Sequence, residues 1–173
     1  MTLEQKIRKA IVDVPDFPKK GIIFKDITGI FKDPKVLKPL IDSLAKRYKA
    51  KKINAIAACE ARGYLVGTPL AYKLGIPFVP VRKPGKLPRE TYKVSYDLEY
   101  GSNTLEIHKD ALKKGAKVLV IDDLLATGGT VNATIQLVEK CGAKVVESAF
   151  VVELGFLKGR EKIKGSVFSV VKY

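Results

Sequence analysis

The chain has 173 residues, 46% apolar and 29% charged, with 14 Gly, 9 Pro and no Trp. This suffices for one domain with its own core, and it excludes disordered, collagen-like and low-complexity chains. The formal charge of +14 is dispersed as +8 over 1–52, +5 over 53–93, −3 over 94–157 and +4 over 158–173. With no basic tail or block, most of that excess reads as a solvated lysine-rich surface. The longest uncharged stretch, 124–138, is interrupted by Thr, Gly, Asn and Gln, whereas a membrane span needs about 20 mainly apolar residues. Glu4, Lys6, Arg8, Lys9 and Asp13 leave no room for a signal-peptide core. Cys59 and Cys141 share no metal or redox spacing, and two lone thiols without an export signal predict a cytoplasmic protein.

Thr2 and Gln5 have capping-box spacing and predict a first helix with Leu3, Ile7, Ala10 and Ile11 on one face, ended by Pro15 and Pro18. Residues 19–31 read as a loop turning at Gly21. Asp33-Pro34 then caps a helix whose buried stripe is Val36, Leu37, Leu40, Ile41, Leu44 and Tyr48. The unbroken apolar run at 53–59 predicts a strand covered on both faces. A helix at 63–74 follows, closed by Gly75, with Pro69 predicting a kink or a late start. Residues 77–81 read as a strand, 82–90 as a Pro/Gly/Lys-rich break, and 91–107 as a hairpin or flap around Tyr100-Gly101-Ser102-Asn103. KVLVI at 117–121 is the clearest buried strand, followed by a turn, a helix over about 130–141, and strands at 144–154 and 166–171. Strands alternating with helices predict an α/β fold with a mostly parallel central sheet, helices on both faces, and ligands at the carboxyl ends of the strands.

The chemistry concentrates in VLVIDDLLATGGT, 118–130. Two aspartates where a buried strand should end incur desolvation and mutual repulsion that a plain turn has no need of. Ala126, Thr127, Gly128, Gly129 and Thr130 then lead into a helix. Glycines there let the backbone approach a ligand closely, and amides at a helix start converge on an anion. Carboxylates beside such a cradle make sense if they accept hydrogen bonds from sugar hydroxyls or face a cation, so the ligand implied is a sugar phosphate. The spacing fits neither a Walker loop nor a dinucleotide fingerprint.

That segment resembles the ribose-phosphate signature of the type I phosphoribosyltransferases. Together with PDFPKKGIIFKDIT (15–28), EARGYL (60–65), VRKPGKLP (81–88), YDLEYG (96–101) and VELGFLKGREK (152–162), it makes the chain similar to the adenine phosphoribosyltransferase family from near residue 3 to its end. The resemblance implies a single domain over 1–173, with a flap over about 83–107 and a base-binding segment over about 15–30. It implies transfer of a phosphoribosyl group from phosphoribosyl pyrophosphate to adenine, giving AMP and pyrophosphate in purine salvage. Mg²⁺ would arrive with the pyrophosphate rather than on protein ligands. In this frame 126–130 hold the 5-phosphate and Asp122 and Asp123 hold the ribose hydroxyls. Arg62, Arg82, Lys83 and Lys86 hold the pyrophosphate with Tyr100, and Glu99 is catalytic, managing the purine proton. Ile23 and Phe24 form the adenine slot, with Lys25 standing where some members carry Arg. A cis peptide at Glu60-Ala61, a homodimer, and no membrane or nucleic-acid partner are further implications. His108 lacks neighbours for metal ligation, and Cys59 reads as a small buried residue. Two other readings stay open: a different purine base, and a regulator that senses phosphoribosyl pyrophosphate without turning it over. General nucleic-acid binding ranks below both, for want of clustered basic and aromatic residues.

Overall fold

A computed structural model describes residues 1–97 and 102–173. Helix α1 (Leu3–Ala10) begins at the expected capping box, with Thr2 Oγ1 accepting from the Gln5 amide at 3.2 Å and Gln5 Oε1 accepting from the Thr2 amide at 2.8 Å. It ends at Ala10, well before the prolines, because the chain turns into a small antiparallel hairpin of β1 (Val12–Pro15) and β2 (Ile23–Asp26). Helix α2 (Thr28–Lys32) follows. Most of the segment read as a loop is therefore ordered, although Gly21 does turn the chain between the strands, its amide donating to Asp16 Oδ1 at 2.7 Å.

Helix α3 (Pro34–Lys51) starts as predicted, Asp33 Oδ1 accepting from the Lys35 amide at 2.8 Å, and buries Val36, Leu40, Ile41, Leu44 and Tyr48. Strand β3 (Ala55–Cys59) is buried at every position. Helix α4 (Arg62–Leu74) neither starts late nor stops at Pro69. The carbonyl this proline leaves without an intrahelical donor belongs to the exposed Leu65, where water can serve it. Then come β4 (Phe78–Val81), β5 (Thr91–Asp97), β6 (Ser102–His108), β7 (Lys117–Leu125), α5 (Gly129–Lys140), β8 (Lys144–Glu153), two short 3₁₀ turns at 155–162, and β9 (Val167–Lys172).

Strands β4, β3, β7, β8 and β9 form, in that order, one parallel sheet. Alternate residues face opposite sides, as pleating requires. Ile56, Ala58, Leu119 and Ile121 pack with α1 to α4, whereas Ala55, Ala57, Val118 and Val120 pack with α5 and the β5–β6 hairpin. Each large apolar side chain so buried contributes about 1.5–3 kcal/mol. Helices thus cover both faces, the second with help from the hairpin. At its base that hairpin joins the sheet through reciprocal main-chain bonds between Arg82 and Glu106 (2.9 and 2.7 Å). Among the described residues no helix is long and apolar enough to cross a membrane.

Buried carboxylates clamp both ends of β8. Glu147 accepts from Arg47 at 3.0 Å by two nitrogens, and at 2.8 Å each from Tyr48, Lys51 and Ser166. Burial alone would raise it, but these donors hold it down at about 2. Glu153 accepts from Arg160 at 3.0 and 2.5 Å and from Ser169 at 2.7 Å, which brings it to about 2 against the opposing effect of burial.

Candidate active site

A cleft of about 260 Å³ opens where the carboxyl ends of β3 and β7 meet the starts of α4 and α5. Glu60, Ala61 and Arg62 line one side, 122–131 line the floor and the other side, and Phe150 contributes from β8. The structure therefore brings together Arg62, Asp122, Asp123 and the whole run from Ala126 to Thr130, as their sequence positions predict.

Strand β7 does not stop before the aspartates but runs on to Leu125. Pairing with β8 makes this possible, since Asp122 lies opposite Phe150 and Leu124 opposite Val152, so the extension has a strand partner. Gly128 then adopts a left-handed φ of +87° and serves as the N-cap of α5 without any side-chain cap. The first amides of a helix have no intrahelical acceptor, and with no capping side chain they remain available to an anion in the cleft, favoured by the helix dipole.

The loop is braced from behind by the 155–162 segment. A Cβ on Gly159 would lie 2.1 Å from the Ala126 carbonyl oxygen, and one on Gly128 would lie 2.9 Å from the Gly159 oxygen. Asn132 Nδ2 donates to the Lys162 carbonyl at 2.8 Å, and Arg160, gripping Glu153, fastens the segment to the sheet. Sequence reading placed VELGFLKGREK in the resemblance but gave it no role, since nothing in one sequence shows two backbones in contact.

The two carboxylates lie close enough to interact with each other. Asp122 Oδ1 accepts from the Asp123 amide at 2.8 Å, and a Cβ on Gly63 would sit 3.0 Å from the same oxygen, so α4 approaches this closely because its second residue is glycine. Burial, with the neighbouring Asp123 charge, pushes Asp122 well above the usual carboxylate range. Asp123 is only 2% exposed. Arg62 Nε lies 2.8 Å from its Oδ2, yet not in line for a hydrogen bond, and among the described residues that buried oxygen has no hydrogen-bond donor. Such an oxygen suits a hydroxyl donor brought by a ligand.

Glu60, which the sequence singled out for no role of its own, also lines the cleft. It accepts from the Lys83 amide at 2.6 Å and from Arg82 Nη2 at 3.3 Å. Burial pushes its pKa up, but these two donors hold it below its ordinary value. Arg82 is accordingly turned toward Glu60 and toward the Lys86 carbonyl (3.3 Å), while Lys83 and Lys86 are exposed on the following loop and line none of the cleft. The Glu60-Ala61 peptide is cis. Ile23, Phe24 and Lys25 lie on β2 outside the lining. Ile23 is exposed, Phe24 meets Phe17 edge-to-face at 5.2 Å, and Lys25 is held by Asp13 at 2.7 Å and lies 4.4 Å from the centre of the Tyr173 ring. Asp26, at the end of that strand, is held below its ordinary value first by its Thr28 amide bond, with the Arg62 charge adding to it. Glu99 and Tyr100 fall outside the described residues.

Residues 27–172 match the family described as "Phosphoribosyl transferase domain". A curated relative from Syntrophotalea carbinolica, named adenine phosphoribosyltransferase, is 55% identical over 170 residues, covering 98% of this chain and 99% of the relative. The chain belongs to the adenine phosphoribosyltransferase family. The crystal structure of the adenine phosphoribosyltransferase of Thermoanaerobacter pseudethanolicus superposes with a TM-score of 0.94 at 53% identity, covering 99% of this chain and all of that one. The Saccharomyces cerevisiae adenine phosphoribosyltransferase, solved with an imino-altritol bisphosphate and adenine, gives 0.94 at 43% identity over 97% of this chain and 98% of its own. As a phosphoribosyltransferase with this sheet, the chain keeps its acidic pair and glycine loop where an α/β fold places ligands.

Proposed function

We propose that this cleft is where the chain carries out its family's reaction in purine salvage, transfer of the phosphoribosyl group from phosphoribosyl pyrophosphate to adenine, giving AMP and pyrophosphate. The observation that carries the assignment is the left-handed Gly128 loop at the head of α5, next to a buried aspartate oxygen with no donor. The loop 126–130 receives the 5-phosphate on main-chain amides and on the Thr127 and Thr130 hydroxyls. Asp122 and Asp123 accept from the ribose hydroxyls. Arg62 faces the leaving pyrophosphate, with Arg82, Lys83 and Lys86 reaching it from the loop after β4. Arg can grip phosphate as a fork and Lys as a point charge.

In the reaction the bond from ribose C1 to pyrophosphate oxygen breaks, positive charge spreads over the ribose, and an adenine ring nitrogen forms the new bond and gives up its proton. Cations on the leaving side stabilise the separating charge. Glu99 takes the proton, and Tyr100 covers the leaving group as the segment 83–107 closes over the site. Residues 15–30 supply the adenine slot through Ile23 and Phe24, with Lys25 at its edge, all within one domain spanning 1–173. Mg²⁺ would enter with the pyrophosphate, held by substrate oxygens and water rather than by protein ligands. When bound it would neutralise charge on the departing pyrophosphate.

The chain works as a cytoplasmic homodimer on this reading. The half-exposed Leu65 and the exposed Tyr72 of α4, beside Leu37 and Pro69, offer an apolar face to a second copy. Sedimentation at micromolar concentration tests the dimer. The reaction is tested by supplying phosphoribosyl pyrophosphate and Mg²⁺ with adenine, hypoxanthine, guanine or xanthine and following pyrophosphate release. Adenine-selective turnover is expected; turnover with another base only, or binding without turnover, overturns the assignment.

A further inference from the structure

We propose that Tyr96 is a positioning residue for the phosphate loop and acts through the hydroxyl of Thr130. The inference rests on the reading of 126–130 as the 5-phosphate site. Tyr96 lies on β5, in the hairpin, remote in sequence from that loop, yet its phenol oxygen is 2.9 Å from Thr130 Oγ1. One edge of its ring lies against the loop, so that a Cβ on Gly129 would be 3.0 and 3.2 Å from Cδ2 and Cε2. Glycine at 129 therefore makes room for this ring as well as for a ligand. The contact is specific in both its parts, a ring seated on a glycine and a hydroxyl seated on a hydroxyl.

Hydroxyl bookkeeping fixes the direction of the bond once an anion arrives. Thr130 has one proton and two acceptor sites, and a phosphate oxygen can only accept. Thr130 must then give its proton to the phosphate, which leaves its lone pairs to accept from Tyr96. The polarity becomes Tyr96 to Thr130 to phosphate, each bond polarising the next. Before the anion binds, either hydroxyl can be the donor. Tyr96 thus selects the Thr130 arrangement that donates into the cleft, and it makes the hairpin's seat depend on the loop's occupancy. The other polar attachment described above, Arg82 with Glu106, is main-chain and indifferent to ligand.

The test uses the full chain with Tyr96→Phe, which keeps the ring on Gly129, and Thr130→Val and Thr130→Ser. Binding of phosphoribosyl pyrophosphate, ribose 5-phosphate and pyrophosphate is measured by calorimetry, alongside steady-state kinetics and thermal midpoints. Tyr96→Phe is expected to weaken phosphoribosyl pyrophosphate and ribose 5-phosphate by about five- to tenfold, the size of one lost hydrogen bond. Pyrophosphate binding, the KM for adenine and the thermal midpoint should not move, which separates positioning from general structural support. Thr130→Ser should bind like the parent, and Tyr96→Phe with Thr130→Val should be no worse than Thr130→Val alone. If Thr130→Val weakens ribose 5-phosphate while Tyr96→Phe does not, or the two losses add, the role of Tyr96 is wrong and the phosphate site stands. If Thr130→Val itself leaves ribose 5-phosphate binding intact, the site reading fails first.

Discussion

Two groups of buried carboxylates in one sheet meet opposite fates. Glu147 on β8 has donors on both oxygens, from Arg47, Tyr48, Lys51 and Ser166, and is held at about 2. Asp122 and Asp123 at the end of the adjacent β7 face each other's charge, share one arginine imperfectly aligned, and leave a buried oxygen with no donor. The first group is complete in the fold and stabilises it. The second is left under-supplied, at a cost in stability, and that shortfall is what a ligand can relieve. The difference marks the second pair as the one open to a ligand, without reference to any motif.

The sharpest way to break the comparison is Asp122→Asn with Asp123→Asn. Turnover per unit of phosphoribosyl pyrophosphate should fall on the order of 10³-fold, as when charge-matched groups at a reacting centre are lost. The thermal midpoint should hold or rise because the repulsion goes with the charges. Parallel loss of folding and activity would place this pair with Glu147 after all.

Glu147→Gln should do the reverse, lowering stability by about 2 kcal/mol while activity per folded molecule stays the same. That is below the penalty for breaking a fully buried pair, because Arg47 and Lys51 still reach water. The two sites also respond to acid with opposite sign. Glu147 is lowered from 4.5 to about 2 on folding, so its support is complete above the unfolded value and drains away as pH falls from about 4.5 toward 2. Asp122 is raised on folding, so its burden is felt at neutral pH and lifts as pH falls through the raised value. Unfolding free energy measured against pH should therefore show Glu147→Gln with a flatter acid limb and Asp122→Asn with a gain confined to the less acidic side.

Gly159→Ala sharpens the comparison from the backbone side. Its Cβ would meet the Ala126 oxygen at 2.1 Å, so the loop must shift, costing about 1–3 kcal/mol as overpacking does. Because the displaced atom belongs to the loop proposed to hold the 5-phosphate, KM for phosphoribosyl pyrophosphate should rise more than KM for adenine. Equal changes in both would make the 155–162 brace a stability element only.

The parallel strands were legible because both faces are buried, so β3 and β7 read as continuous apolar runs. The cleft at 122–130 was legible because a strand, two acids and paired glycines at a helix start seldom serve packing alone. The β1–β2 hairpin was not, since its strands are four residues long, mostly exposed on β1, and alternate no apolar face a window could detect. Strand β7 was cut short at Asp122 because local desolvation argued against going on, while pairing with β8, remote in sequence, overrode it. The Arg62–Asp123 contact, the Glu60–Lys83 clamp, the Gly159 brace and Tyr96 on Thr130 join residues far apart in the chain. Only tertiary structure makes them neighbours.

The acid clusters at Glu147 and Glu153 stand six positions apart on β8 with Phe150, a wall of the cleft, midway between them. Sliding β8 by one step against its neighbours would turn both glutamates away from their partners simultaneously. The strand is pinned like a ruler nailed at two marks, and the scale in between, from which the cleft takes its depth, cannot drift.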